Sequence, residues 1–113
     1  MLSAKYRFHS RGGVNFTYKH GRRINTPLVT LIYAPNSRKK TRCAVVVSKK
    51  VMKTAIGRNR IRRRVYEAIR LELSAYRSPV DRIFLVHSKE LLTLPFSDLQ
   101  TLIESLLFKS NKV

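Results

Sequence analysis

The chain has 113 residues, of which 24 are Lys or Arg and only 6 are Asp or Glu, so its formal net charge at pH 7 is +18. A hydrophobic fraction of 43% is ordinary for a globular protein and argues against disorder throughout, and the length suits one domain over residues 1–113. Residues 1–66 hold 18 of the basic residues and none of the acids, so they carry the whole excess, and the remainder sums to zero. An acid-free half predicts a polyanionic partner.

Membrane lipid is a competing polyanion, but the sequence disfavours it. No apolar run approaches the roughly 20 residues of a spanning helix, and the N-terminus lacks an apolar signal core. Cys43 is the single cysteine, so no internal disulfide forms, and we expect it to be a small buried core residue in a reducing, cytosolic protein. No Cys or His pair has zinc spacing, so a structural zinc is not expected.

The first 21 residues interleave aromatic rings with cations, at Tyr6, Phe8, Phe16 and Tyr18. Such rings suit base stacking beside phosphate contacts. They equally suit anchoring of an N-terminal segment on the core, and both interpretations stay open. A short helix is predicted around residues 14–19, ending at Gly21.

Three segments have the apolar and β-branched content of strands. Residues 28–34 and 42–48 are predicted to pair as an antiparallel hairpin across a basic turn at residues 38–40. Residues 82–86 form a third strand, with Asp81 as a turn residue before it.

The C-terminal segment predicts a helix. Ser97 and Gln100 have the spacing of a capping box, and Asp98 suits the first turn. An apolar stripe follows, made of Leu99, Leu102, Ile103, Leu106 and Leu107. The order helix, strands, helix, strand, helix predicts a small α+β sandwich in which helices pack on a sheet.

The most informative stretch is residues 57–73, where five arginines fall within seven positions of a helical pattern. At 100° per residue, Ile61, Val65, Ala68 and Ile69 share one stripe that is predicted to pack on the core. The polar residues then form two surfaces. The back of the helix carries Arg60, Arg63, Arg64 and Arg70. One flank carries Arg58, Asn59, Arg62 and Tyr66.

A solvated, charged helix face is the alternative interpretation, but such faces normally mix the two signs. Adjacent arginines at 62–64 cost stability unless an anion neutralises them, and the planar guanidinium suits phosphate. This stretch therefore predicts an RNA-binding helix. No nucleophile, acid–base pair or metal cluster is arranged for catalysis, and Glu67 and Glu72 are interpreted as partial neutralisation of nearby arginines. The residues alone predict a binding protein.

A resemblance to a known family sharpens this prediction. The segment VVVSKKVMKTAIGRNRIRRRVYEAIR, with Ser48, Lys49, Lys50 and then residues 58–63, resembles the signature of the bacterial ribonuclease P protein subunit. The segment YKHG at 18–21 is similar to the close of that family's first helix, and TPLVTLIY at 26–33 is similar to its first long strand.

The resemblance implies a fold and a function. The fold is α+β and ribosomal-protein-S5-domain-2-like, a mixed sheet of about four strands in α-β-β-β-α-β-α order, with a left-handed crossover that general topology rules disfavour. The function is removal of the 5′ leader of precursor tRNA by a ribonucleoprotein whose catalytic groups and Mg²⁺ belong to its RNA subunit. The protein alone is expected to be inactive, cytoplasmic, without a Mg²⁺ motif of its own and without an obligate protein partner.

The resemblance implies RNA contacts for Arg58, Asn59, Arg60, Arg62 and Arg63 of the helix and for Tyr18 of a cleft. Together with the helical spacing and the preceding lysines, the residues expected to bind RNA are Lys49, Lys50, Lys53, Arg58, Asn59, Arg60, Arg62, Arg63 and Arg64. Those expected to line a cleft for the 5′ leader are Tyr18, Arg58, Asn59, Arg62 and Tyr66. The back of the helix is expected to serve mainly the catalytic RNA and the flank mainly the leader.

The chain departs from the family's usual pattern at three places. The family has an apolar residue in place of Arg64 and a basic one in place of Tyr66, and Gly12 and Gly13 are atypical of its first helix. A small ribosomal protein is the chief rival, disfavoured by the spacing of SKK and RNR. An architectural DNA-binding protein is disfavoured because the helix has a deep apolar stripe and no dimerisation heptads.

Overall fold

The computed structural model describes residues 11–36, 41–73 and 79–111, without the side chains of 11–15. The basic turn expected at 38–40, and Tyr6 and Phe8, lie outside these ranges. The elements in chain order are α1 (Arg11–His20), β1 (Arg22–Asn25), β2 (Val29–Pro35), β3 (Arg42–Val46), α2 (Ala55–Glu72), β4 (Val80–Val86), a 3-10 helix (Lys89–Leu92) and α3 (Phe96–Ser110). The α+β class, the mixed four-stranded sheet and the element order are confirmed.

The sheet has the strand order β1-β2-β4-β3. β2 pairs antiparallel with both β1 and β4, and β3 pairs parallel with β4. The predicted hairpin between the second and third strands is therefore wrong, because β4 lies between them. β4 is buried along almost its whole length, which is the pattern of a central strand, and α2 provides the long connection that a parallel β3–β4 pair requires.

The two faces of the sheet carry separate apolar layers. Alternate side chains of β2, β3 and β4, such as Leu31, Val45 and Phe84, form the main core with α2 and α3. The intervening side chains Ile32 and Ala44 join a smaller cluster on the opposite face. α1 lies on that second face and contacts β2 and β4. The sheet therefore forms the central layer, with α2 and α3 packed on one face and α1 on the other.

Helix α2 begins where its sequence gives it a cap. The Thr54 hydroxyl accepts a hydrogen bond from the Gly57 amide at 3.1 Å, which satisfies one of the free N–H groups of the first turn. The predicted buried stripe is confirmed, since Ile61, Val65, Ala68 and Ile69 are all fully buried. The helix runs for 18 residues with this stripe against the core.

Helix α3 begins differently from the prediction. Pro95 is its N-cap and no side chain caps it, so the predicted capping box of Ser97 and Gln100 is wrong. The Gln100 amide instead donates to the Glu72 carboxylate of α2 at 2.7 Å, which links the two helices. The apolar stripe of α3 is confirmed, with Leu102 only half-buried.

Helix α1 spans ten residues and includes Gly12 and Gly13, so it is longer than predicted. Gly21 ends it, with its amide donating to the Thr17 carbonyl at 2.8 Å. A Cβ at Gly21 would lie 2.5 Å from that carbonyl and 2.9 Å from Ile32, so only glycine fits between the helix and the sheet. β1, which follows directly, was missed because its four residues RRIN have no strand-like composition.

Asp81 is a strand residue rather than the turn residue that we predicted. It lies in β4, is buried, and accepts two hydrogen bonds from the Arg42 guanidinium at 2.8 and 2.7 Å. Asn36 donates a third at 2.7 Å. A carboxylate that accepts three hydrogen bonds from a guanidinium and an amide can be buried. The sequence did not show these partners, so Asp81 was predicted to lie in a turn.

Candidate nucleic-acid interface

The arginines of α2 differ in what their guanidinium groups contact. Arg60 and Arg63 are exposed and form no hydrogen bond to any residue within the described ranges. Arg70 pairs with Glu67, a hydrogen bond that lowers the pKa of that carboxyl to about 2. The predicted neutralisation by Glu67 is thereby confirmed. The cationic surface on the back of α2 is thus centred on Arg60 and Arg63.

Arg58 is bound to the segment that leads into its own helix. Its guanidinium donates to the carbonyls of Met52 at 3.0 Å and Lys53 at 2.8 Å. Gly57 lets this segment lie close, because a Cβ there would be 2.3 Å from the Met52 side chain. Arg58 therefore fixes the backbone that carries the loop lysines.

Arg64 is bound to the segment that follows β4. Its two terminal nitrogens donate to the carbonyls of Leu91 and Leu94, at the end of the 3-10 helix. The side chain is half-buried. Arg64 therefore lies on the side of the helix that faces this segment rather than on its exposed back. Its guanidinium, which was predicted to bind RNA, makes an internal contact.

The predicted flank of α2 faces the free edge of the sheet. The Tyr66 hydroxyl accepts a hydrogen bond from the Val45 amide of β3 at 3.2 Å. β3 is an edge strand, so this bond satisfies one of its outward N–H groups. Arg62 donates to the Asn59 side chain one turn earlier, on the side of the helix that both share with Tyr66. The flank reaches the sheet edge at Tyr66.

The segment between β3 and α2 carries three exposed lysines. Lys49 and Lys50 lie in a turn closed by the Met52 amide, which donates to the Ser48 carbonyl at 3.1 Å. Lys53 directly precedes the Thr54 cap. All three lysines therefore lie within a few residues of the α2 N-terminus, where the helix dipole also favours an anion.

A second exposed cluster lies across the sheet on α1. Tyr18 is 40% exposed and the Arg23 guanidinium of β1 lies 5.3 Å from its ring centre, a cation–π contact. Phe16 is 58% exposed, with its ring 4.7 Å from that of His20. Among the open interpretations of the N-terminal rings, these two are exposed rather than anchored in the core.

The structure gathers the predicted RNA-binding residues along α2 and the loop before it. It does not gather the predicted leader cleft into one place. Tyr18 lies by β1 and Tyr66 by β3, at opposite edges of the sheet and, because α1 and α2 pack on different sides, on opposite faces. A bound strand would have to pass around the sheet to touch both.

Sequence reasoning missed Lys89 and Arg23. Lys89 lies three residues after β4, as Lys49 lies three residues after β3. Because β3 and β4 are parallel neighbours, both lysines follow the same end of the sheet. The available signal was the repeat at 46–49 and 86–89, where a strand-ending valine is followed by one residue, Ser and Lys, and the wrong hairpin pairing concealed it. Arg23 carried no signal once β1 was missed.

Two further findings concern other kinds of site. Within residues 11–36, 41–73 and 79–111, no group of three or more His, Cys, Asp or Glu is placed to hold a metal ion. None of the described helices is long and apolar enough to cross a membrane.

The Ribonuclease P family model matches residues 2–111. The chain is 40% identical over 89 residues to the ribonuclease P protein component of Chloroflexus aurantiacus, covering 79% of this chain and 65% of that protein. It is 34% identical over 112 residues to that of Roseiflexus castenholzii, covering 99% and 91%. The chain thus spans just under two thirds of the length of the Chloroflexus relative.

The fold is that of solved proteins of the same kind. The ribonuclease P protein of Staphylococcus aureus superposes with a TM-score of 0.77 at 22% identity, over 96% of both chains. The protein from Thermotoga maritima gives 0.77 at 22% identity, over 95% of this chain and 96% of that one. With the family model covering nearly its whole length, the chain belongs to the ribonuclease P protein family.

Proposed function

We propose that the chain is the protein subunit of a ribonuclease P ribonucleoprotein. It binds the catalytic RNA and the 5′ leader of precursor tRNA, and it assists endonucleolytic removal of the leader. The observation that carries the proposal is the cationic surface of α2 and its preceding loop, within a chain of this family.

That surface has the chemistry of a phosphate-binding face. Arg60 and Arg63 lie one turn apart without an acidic neighbour between them, an arrangement that costs a helix a few tenths of a kcal/mol when no anion is present. RNA phosphates offset the repulsion and release counterions on binding. Lys49, Lys50 and Lys53 extend the same surface into the loop.

Contact with the leader is supported by the exposed rings of α1. Phe16 and Tyr18 offer faces on which unpaired bases stack, and Arg23 beside Tyr18 adds a cation. The flank of α2, with Asn59 and Arg62, reaches the other edge of the sheet through Tyr66. In this proposal a single-stranded leader passes around the sheet between the two.

Catalysis is assigned to the RNA. The buried Asp81 is held by Arg42, Glu67 pairs with Arg70, and Glu72 accepts from Gln100. These three carboxylates already have internal partners. In the proposal, Mg²⁺ is held by the RNA subunit and the substrate, the protein is cytoplasmic, and it needs no protein partner.

A small ribosomal protein, the rival interpretation, would share the charge and size of this chain. Family membership favours ribonuclease P over it, because the match covers residues 2–111 rather than the basic helix alone.

Reconstitution tests the proposal. The purified protein is added to a bacterial ribonuclease P RNA and precursor tRNA at a Mg²⁺ concentration at which the RNA alone is nearly idle. We expect 5′ cleavage to be restored, and the protein without RNA to cleave nothing. Absence of stimulation, or cleavage by RNA-free protein that survives repeated purification, would contradict the proposal.

A further inference from the structure

A concavity of about 350 Å³ opens at the end of the sheet where β3 and β4 finish. Its walls come from two parts of the chain, the segment before α2 and the 3-10 helix after β4. They are formed by Lys50, Val51, Met52, Lys53, Thr54 and Lys89. Because β3 and β4 are parallel neighbours, the segments that follow them leave the sheet side by side.

Half of the lining residues are lysines and none is acidic. The three lysines carry like charges that repel each other, and Val51 and Met52, which also line the concavity, offer no counter-charge. An anion with several oxygen atoms removes the repulsion and accepts hydrogen bonds from more than one lysine. The concavity also adjoins the α2 N-terminus, whose dipole has the matching sign.

We propose that this concavity is a binding pocket for a phosphate of the RNA backbone, in which Lys89 acts together with Lys50 and Lys53. The proposal rests on the proposed function and deepens it, because it adds a contact from the 3-10 helix after β4 to those expected from α2 and its loop.

Two arginines hold the walls of this phosphate pocket in place. Arg58 donates to the carbonyls of Met52 and Lys53, on one wall. Arg64 donates to the carbonyls of Leu91 and Leu94, just after Lys89 on the other. Both are positioning residues, since α2 fixes the two lysine-bearing segments before RNA arrives. Preorganisation of this kind lowers the ordering cost of binding.

The salt dependence of binding tests the pocket. Full-length protein is titrated with the catalytic RNA, and the holoenzyme with precursor tRNA, over a range of salt concentrations. Lys89→Ala is expected to weaken binding about three- to tenfold and to reduce the log–log salt slope by about 0.7–0.9. Lys109→Ala is the matched control, because it removes the same charge from an exposed position on α3 that does not line the pocket.

Either titration can support the proposal. A reduced slope with the catalytic RNA assigns the phosphate to that RNA, and a reduced slope only with precursor tRNA assigns it to the substrate. If Lys89→Ala matches Lys109→Ala in both, the pocket does not bind phosphate. If wild-type protein fails to stimulate the catalytic RNA, the proposed function and the pocket fall together, whereas normal stimulation with a neutral Lys89→Ala removes the pocket alone.

The positioning role of Arg64 has a separate readout. Arg64→Lys keeps the charge, but one ammonium cannot reproduce the planar fork that reaches both carbonyls. We expect the loss caused by Lys89→Ala to shrink in the Arg64→Lys background, with the fold verified by circular dichroism and thermal melting. Additive losses would show that Arg64 contacts RNA directly and does not position Lys89.

Discussion

Two residues of α2, Arg64 and Tyr66, each make hydrogen bonds inside this protein. Arg64 donates to carbonyls of Leu91 and Leu94, and the Tyr66 hydroxyl accepts from the Val45 amide at the sheet edge. Both side chains are half-buried and fasten α2 to a neighbouring segment. The helix is therefore attached along both of its sides, and Arg60 and Arg63 are left facing solvent between them.

Arg82 is an unusual residue of the main core. It lies on β4, is fully buried, and donates to the hydroxyls of Ser110 at 2.6 Å and Thr41 at 2.7 Å. Its third nitrogen has no partner among the described residues, and burial lowers the pKa of the guanidinium below its usual value. A buried cation held mainly by hydroxyls adds little net stability.

This arrangement predicts opposite effects of two substitutions. Arg82→Met should leave the free energy of unfolding unchanged or raise it by about 1–3 kcal/mol, because Thr41 keeps its bond to Val80 and Ser110 its bond to Leu107. Thr41→Val should lower it by about 1–3 kcal/mol by removing an acceptor from the buried cation. Urea denaturation of both variants and their double mutant measures this. A loss above about 3 kcal/mol in Arg82→Met would show instead that the guanidinium stabilises the core.

Cys43 provides a pH prediction. Burial raises the pKa of its thiol from 9.0 to about 12, so the folded state disfavours the thiolate. The thiol therefore contributes stability that is fully present below pH 9 and is lost as the pH rises towards 12. Relative to Cys43→Ala, wild-type protein should lose about 2 kcal/mol between pH 8.5 and 10.5, measured by urea denaturation at each pH. A constant difference would contradict the shift, and rapid alkylation of folded protein at pH 8 would contradict the burial.

At the scale of elements, α2 combines three tasks. Its stripe packs on the core, its two sides hold the loop before it and the 3-10 helix after β4, and its back remains cationic. Separation of these tasks follows from the 100° step of the helix, which sends residues three or four apart to the same side and their neighbours elsewhere.

Two double mutants separate these surfaces. Arg60→Ala/Arg63→Ala removes exposed cations and should weaken binding to the catalytic RNA about tenfold or more while leaving the melting temperature unchanged. Arg58→Ala/Arg62→Ala removes the bonds to Met52, Lys53 and Asn59, and should affect discrimination between leader-bearing and leaderless tRNA more strongly. Affinities for the three RNAs are measured by filter binding. Equal losses in every assay would mean that the two surfaces are not functionally distinct.

At the scale of the whole molecule, the excess positive charge is concentrated in the first 66 residues of the chain. Residues 1–66 carry +18, and the described acids that pair with arginines are Asp81 and Glu67. Most of the positive charge is therefore not neutralised by these ion pairs. It creates a positive electrostatic potential that attracts polyanions at long range.

This charge predicts a steep salt dependence. Five exposed cations, namely Lys49, Lys50, Lys53, Arg60 and Arg63, would contribute a log–log slope of about −3.5 to −4.5 if each met one phosphate. We expect the measured slope for wild-type protein and the catalytic RNA to reach at least that range. A binding constant that hardly changes between 50 and about 200 mM salt would rule out phosphate contacts as the main source of affinity.

The sequence by itself determined most of the local structure. The apolar spacing of residues 61–69 fits a helix and not a strand. Once that stripe is buried, the arginines between its residues are left exposed or half-buried. The family signature and the acid-free half indicated an RNA partner. Cys43, in an apolar strand, was correctly placed in the core.

Only the tertiary structure decided how these elements combine. Strand periodicity states which side chains share a face but not which strand lies alongside, so the position of β4 between β2 and β3 was not predictable from local pattern. That one pairing buries Asp81 against Arg42 and brings Lys89 beside the loop lysines. Folding brings the Met52 carbonyl within reach of Arg58 and the Leu91 carbonyl within reach of Arg64. Arg60 and Arg63 have the same side chain but remain exposed, so residue type alone could not separate the two pairs.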